Sequence, residues 1–129
     1  MIAKNDDSIN YAEMEKWLNN YFLDPLTSYL DQTQFQIDLY ETNKEWIVEA
    51  ILSEYDASEI TVLIEKEKLT ITAMIPTPSK QSQKRIRVIE FPFQVISQKV
   101  TATFMEGILE IFISKTDGEV ANNRYITLQ

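Results

Sequence analysis

"TATFMEGILEIF", residues 101–112, contains one of only two glycines in a chain of 129 residues. Apolar side chains recur every second residue on both sides of Gly107: Val100, Ala102 and Phe104 before it, Leu109, Ile111 and Ile113 after it. Strict alternation is the mark of a half-buried strand, and a glycine inside a strand would weaken it. Glu106 and Gly107 therefore read as the two-residue turn of a β-hairpin. Such turns need φ > 0 at their central positions, which glycine accepts without steric cost and glutamate accepts poorly.

The same period runs back through the chain. Phe35, Ile37 and Leu39 alternate with Gln36, Asp38 and Tyr40, and "EWIVEAIL" (45–52) follows the polar turn Thr42-Asn43-Lys44. "ITVLIEKE" (60–67) and "LTITAMI" (69–75) form a hairpin turning near Glu67-Lys68. "RIRVIEF" (85–91) is a further strand closed by Pro92. Pro76 and Pro78 end one strand, and "TPSKQSQK" (77–84) is an exposed connection. Seven short strands with turn signals between them and no interleaved helix predict an all-β, immunoglobulin-like antiparallel sandwich.

Residues 10–31 differ. Met14, Trp17, Leu18, Tyr21 and Phe22 fall at i, i+3, i+4, i+7 and i+8, one stripe of a helix. Asn10 and Glu13 have capping-box spacing. Asp24-Pro25 stops this helix and starts a second, with Asp24 as N-cap, Pro25 at the first position, and Leu26, Tyr29 and Leu30 as its apolar face. Two roles are open to this segment: a cap folded onto its own domain, or an arm that binds partners. Five aromatics within the first 29 residues favour the arm. The expected organisation is a helical arm (1–33), a sandwich (34–115) and a polar tail with an apolar tip (116–129).

Composition narrows the chemistry. A chain of this length buries roughly two-thirds of its unfolded surface, enough for one core without staples. With 44% apolar residues, global disorder is not expected. There is no cysteine and no histidine, which removes disulfides, thiolate sites, Ser-His and Cys-His arrangements and most zinc or iron sites. The net charge of −8, from 12 basic and 20 acidic residues, disfavours a phosphate backbone as partner, so no nucleic acid is expected. No apolar run reaches the ~18 residues of a membrane span. "MIAKNDDSIN" lacks the apolar region of a secretory signal, giving a soluble cytoplasmic protein as the expectation. Asp6-Asp7 lies in a polar start, and Glu65, Lys66, Glu67 and Lys68 mark a solvated hairpin end. No carboxylate pair suggests a cleft, and two isolated glycines make no phosphate loop. Neither a catalytic residue, a cofactor nor a metal is expected, and the chain does not read as an enzyme.

Within "ATFMEGIL", Ala102, Gly107 and Leu109, with Ile108 as a conservative stand-in, resemble the A-x-x-x-N-G-V-L signature that ends the α-crystallin domain of small heat-shock proteins. Glu106 departs from that family's Asn or Asp. "IDLYETNKEWIVEAIL" is similar to the family's opening strands, "SEITVLIEKEKLTITA" to its central hairpin, and Phe91-Pro92 to its Leu-Pro. "RYITL" (124–128) resembles its C-terminal I-x-I/V motif, with Ile126 and Leu128 as anchors. Residues 13–42 further resemble the spore-coat-associated branch found in endospore-forming bacteria. The likeness spans about residues 35–128.

The resemblance implies an ATP-independent holdase that covers partly unfolded clients and self-assembles as a homodimer or larger homo-oligomer. It implies that Ile126 and Leu128 dock in a neighbour's groove between the family's fourth and eighth strands, lined here by Val62, Ile64, Ala102 and Phe104. Arg87 stands near the family's subunit-contact arginine. Met14, Trp17, Leu18, Tyr21 and Phe22 would hold clients. The loop 76–84 is too short for the strand that bacterial members exchange, leaving weak exchange, edge pairing of "RIRVIEF", or neither. Ser114-Lys115 replaces the family's Pro-Lys. Lys80, Lys84, Arg85 and Arg87 form the one basic cluster, either a charged guard on an edge strand or a contact for a sister subunit. Other classes stay open: a structural protein of the spore coat that builds a layer without guarding clients, and a p23-like adaptor, against which the terminal I-x-L argues.

Overall fold

In a computed structural model, which describes residues 11–75 and 83–129, two α-helices precede eight β-strands. The Asn10 cap, Asp6-Asp7, Pro76, Pro78 and Lys80 lie outside the described residues. Helix α1 spans Tyr11–Leu23 and α2 spans Pro25–Thr33. Asp24 caps α2 as expected: its carboxylate accepts from the Leu26 amide at 2.9 Å, with Pro25 at the helix start.

The strands are β1 (Ile37–Glu41), β2 (Glu45–Ile51), β3 (Ile60–Glu65), β4 (Lys68–Ile75), β5 (Gln83–Glu90), β6 (Gln98–Met105), β7 (Ile108–Gly118) and β8 (Arg124–Tyr125). One sheet has the order β1-β2-β7-β6 and the other β5-β4-β3-β8. All strand pairs are antiparallel. The chain changes sheet three times: after β2 and after β5 through the short 3-10 turns Ala57–Glu59 and Val95–Ser97, and after β7 into the tail strand β8. The all-β sandwich is therefore present with both faces antiparallel. Seven strands match those read from period two. The eighth, Arg124–Tyr125, lies in the tail, and two residues are too few to show alternation.

Alternation dictates the core. In β2 every second residue is buried, Trp46, Val48 and Ala50, beside Ile113, Ile111 and Leu109 of the neighbouring β7 and in one apolar cluster with Leu69, Ile71 and Ala73 of β4 in the other sheet. The hairpin that opened the reading has Met105 opposite Ile108, so its loop is the two residues Glu106 (φ 52) and Gly107 (φ 79). Gly107 also has a second reason to lack a side chain. A Cβ there would sit 2.7 Å from Ser53 Cα, because the Gly107 carbonyl accepts from the Leu52 amide at 2.8 Å and draws the two corners together.

Candidate functional site

Two places on the sandwich receive chain segments: a socket under the helices and a groove under the tail.

The socket begins with the α1 stripe. Met14 is 2% exposed and joins the core, and Trp17 and Leu18 pack against it. Trp17 stacks at a tilt on Phe91 with ring centroids 5.2 Å apart, and Phe91 meets Phe93 at 5.2 Å. Tyr21 extends the row to Trp17 at 5.4 Å, and Phe22 lies edge-on to Tyr21 at 5.8 Å with half its surface exposed. The five stripe residues therefore divide: four face the sandwich and Phe22 faces outward. The expected apolar face of α2 is corrected. Leu26 and Tyr29 are exposed, while Thr27 is buried because its hydroxyl donates to the Tyr21 carbonyl at 2.7 Å across the helix corner.

Arg87 holds this socket shut. It projects from β5 and is 2% exposed. One terminal nitrogen donates to Asp31 Oδ1 at 2.6 Å and to the Phe35 carbonyl at 2.7 Å, and the other donates to the Tyr21 hydroxyl at 2.9 Å. One guanidinium thus ties α1, α2 and the approach to β1 onto β5. Its Nε is buried without a hydrogen-bond partner. Burial raises the Tyr21 phenol pKa above its usual value; Arg87 opposes that shift, while Asp31 and Asp38 reinforce it. With the helices docked, the Arg87 guanidinium is covered by its own chain. Nearby, Arg85 donates to the Gln34 carbonyl and to Glu54, each at 3.4 Å, while Lys84 is exposed.

The groove lies between β3, along which β8 of the tail is laid, and β6, the edge strand of the other sheet. Val62, Ile64 and Ala102 are fully buried along it, and Phe104 is half-buried. The chain's own tail occupies it. Arg124 and Tyr125 pair with Ile64 and Leu63, and the Ile126 amide donates to the Val62 carbonyl at 2.8 Å. The tail then crosses to β6. Leu128 bridges Ala102 in parallel sense, the Gln129 amide donates to the Ala102 carbonyl at 3.0 Å, and the Phe104 amide donates to the Gln129 carbonyl at 3.1 Å. Ile126 and Leu128 both pack against the core, while Thr127 between them is exposed and Tyr125 before them is 69% exposed. Side chains at i and i+2 of an extended segment share a face, and that face is the apolar one. The four lining residues and the two anchors expected from sequence meet in one place.

Sequence reading passed over Arg124. Its guanidinium donates to the carbonyls of Ile96 at 2.9 Å, Asn122 at 3.1 Å and Gln98 at 2.8 Å. A single arginine in a polar linker carries no periodic signal. Among the described residues, no group of three or more acidic side chains is placed to hold a metal ion, and no helix is long and apolar enough to cross a membrane.

The chain resembles known proteins in both sequence and fold. No family model matches it. It is 26% identical over 113 residues to Spore coat protein M of Bacillus subtilis (strain 168), covering 88% of this chain and 82% of that protein. Among solved structures, a mutant of hsp14.1 from Sulfolobus solfatataricus P2 is 29% identical with a TM-score of 0.51, over 60% of this chain and 72% of that one. A small heat-shock protein from Xylella fastidiosa, described as having a distinct high order structure, is 22% identical with a TM-score of 0.51, over 69% of this chain and 91% of its own.

Proposed function

Starting from a chain that has the α-crystallin sandwich of the small heat-shock proteins and a spore-coat relative, we propose that it is an ATP-independent holdase, a non-enzymatic protein that covers partly unfolded clients and assembles with copies of itself. The observation that supports this best is the docked α1 stripe. Met14, Trp17 and Leu18 sit against the sandwich through one helix face and a single buried clasp, so their release would present a continuous apolar row with Tyr21 and Phe22. Partly unfolded proteins expose apolar surface that aggregates at micromolar concentration, and such a row is the chemical match for it. The net charge of −8 would keep a loaded complex dispersed.

Assembly would use the groove. The contacts that Ile126 and Leu128 make with Val62, Ile64, Ala102 and Phe104 are the same whether the tail comes from this copy or another. The β5 edge strand offers a second route, by pairing of "RIRVIEF" across copies. The cytoplasm or the spore coat is the proposed location, the latter from the relative's name.

The test is light scattering of a heat-labile client protein without ATP, with increasing amounts of this protein. Suppression near one subunit per client is expected, and a chain lacking residues 1–31 loses it. A second reading, a structural component of a spore coat, is favoured by the likeness over 88% of the chain to Spore coat protein M. It predicts firm self-association with client aggregation unchanged, and that outcome would replace the holdase.

A further inference from the structure

The turn from the 3-10 segment Val95–Ser97 into β6 presents three successive main-chain carbonyls, and all three accept from the tail. Ile96 and Gln98 accept from the two terminal nitrogens of Arg124, at 2.9 and 2.8 Å, and the Ser97 carbonyl between them accepts from the Glu119 amide at 3.0 Å. The cup is built rather than incidental. Ile96 and Gln98 are each 8% exposed; the Ile96 amide is tied to the Lys66 carbonyl at 2.9 Å, and the Gln98 side-chain amide to the Ser114 carbonyl at 2.7 Å.

We propose that this carbonyl cup is a guanidinium-binding subsite of the tail groove, so that the groove takes extended segments with arginine two residues before the first apolar anchor, and that its occupant in an assembly is the tail of a second copy of this chain. The proposal rests on the assembly reading above. Carbonyls at 96 and 98 point to one side, and a planar guanidinium reaches both with nitrogens fixed on one carbon. A lysine ammonium is a compact charge that cannot span two acceptors in that way. Arg124 is also the residue that pairs with Ile64 on β3, so the cup sets the register in which Ile126 falls beside Val62. A slip of one residue would turn both anchors to solvent. Ile126 and Leu128 thus supply apolar contact, and Arg124 selects register and partner. The second copy is favoured as occupant because its tail carries the same three side chains at the same spacing.

Hydrogen exchange at the Ile126 and Gln129 amides of the full chain reads tail docking directly, since both donate into the groove. R124K keeps the charge and removes the fork. It is expected to speed exchange at both amides about tenfold, with R124A no worse than a few-fold beyond it, while the Val48 and Ile111 amides stay protected. R124K exchange equal to wild type would overturn the subsite. A synthetic peptide of residues 119–129, added to the wild-type chain, checks this without a variant fold. It should displace the native tail at about tenfold lower concentration than the same peptide with lysine at 124; equal potency overturns the proposal. Native mass separates the two layers. If mass is that of a single chain and R124K still loosens the tail, the subsite stands and assembly through the tail fails. If I126A/L128A lowers the mass while R124K changes neither mass nor exchange, assembly stands and the subsite fails.

Discussion

Glu106 holds φ 52, a left-handed conformation that a side chain with a Cβ adopts at a cost, directly beside Gly107 at φ 79. Glu106→Asn relieves that cost, because a short amide side chain tolerates this region, and should stabilise the sandwich by ~0.5 kcal/mol in urea titration. Gly107→Ala has the opposite sign for two separate reasons, backbone strain and a Cβ 2.7 Å from a main-chain atom of Ser53. A loss of ~2–3 kcal/mol is expected, visible as an earlier urea midpoint with unchanged slope. The turn was legible from one glycine between two alternating runs. The Ser53 contact was not, since it joins corners 54 positions apart in a chain where Ser53 carries no pattern of its own. Arg87 shows the same limit. Alternation placed it on a strand, but its partners Tyr21 and Asp31 lie on helices whose docking angle leaves no trace in spacing.

At the scale of elements, the helical arm is held by an apolar face and one charged clasp, and the two can be separated by substitution. Asp31→Asn leaves the Arg87 guanidinium covered and without its carboxylate, and should weaken docking by ~1–3 kcal/mol. Because the arm packs on a sandwich with its own core, the loss should appear as faster proteolysis within residues 11–33 rather than a matching fall in global stability. The pH response carries a definite sign. Burial raises the folded pKa of Tyr21 above the ordinary phenol value of 10.0, so the docked phenol keeps its proton where the released one has lost it. Docking is fully present below pH 10 and is lost as pH rises from there through the folded pKa. Trp17 emission should shift to the red over that range, and Tyr21→Phe should flatten the response while loosening the arm at neutral pH through loss of the acceptor for Arg87. An unchanged alkaline slope in Tyr21→Phe would mean that another group governs arm release. The helices themselves were readable from a 3.6-residue stripe and an Asp-Pro start. Which face of α2 is buried was not, because Thr27 wins its place through a hydrogen bond to the Tyr21 carbonyl, which hydrophobicity does not report.

For the whole molecule, the proposed assembly turns on whether the tail docks in its own groove, as it does here, or in that of another copy. A tail from either source would meet the same Val62, Ala102 and Phe104, so the strength of those contacts would cancel and the balance would fall on the connection between β7 and β8. A short linker holds its own tail at an effective concentration of roughly millimolar, so at micromolar protein the cis state wins unless the linker resists the turn or other surfaces associate as well. Deleting residues 123–129 should lower the native mass if assembly runs through the tail, and the mass of the intact chain should then rise with concentration. Replacing both Ile126 and Leu128 by alanine removes ~1.5–3 kcal/mol of apolar contact at each anchor, enough to dissolve tail-mediated assembly at any concentration a balance can use. A wild-type mass equal to one subunit at every concentration, unchanged by the deletion, would make the tail the last strand of a single sandwich. Mass that survives the deletion but falls when "RIRVIEF" is charged at Val88, which is 46% exposed on β5, would move the assembly contact to that edge strand. The two edges are on opposite ends of one sheet, β5 first and β8 last, so the two mass measurements answer independently.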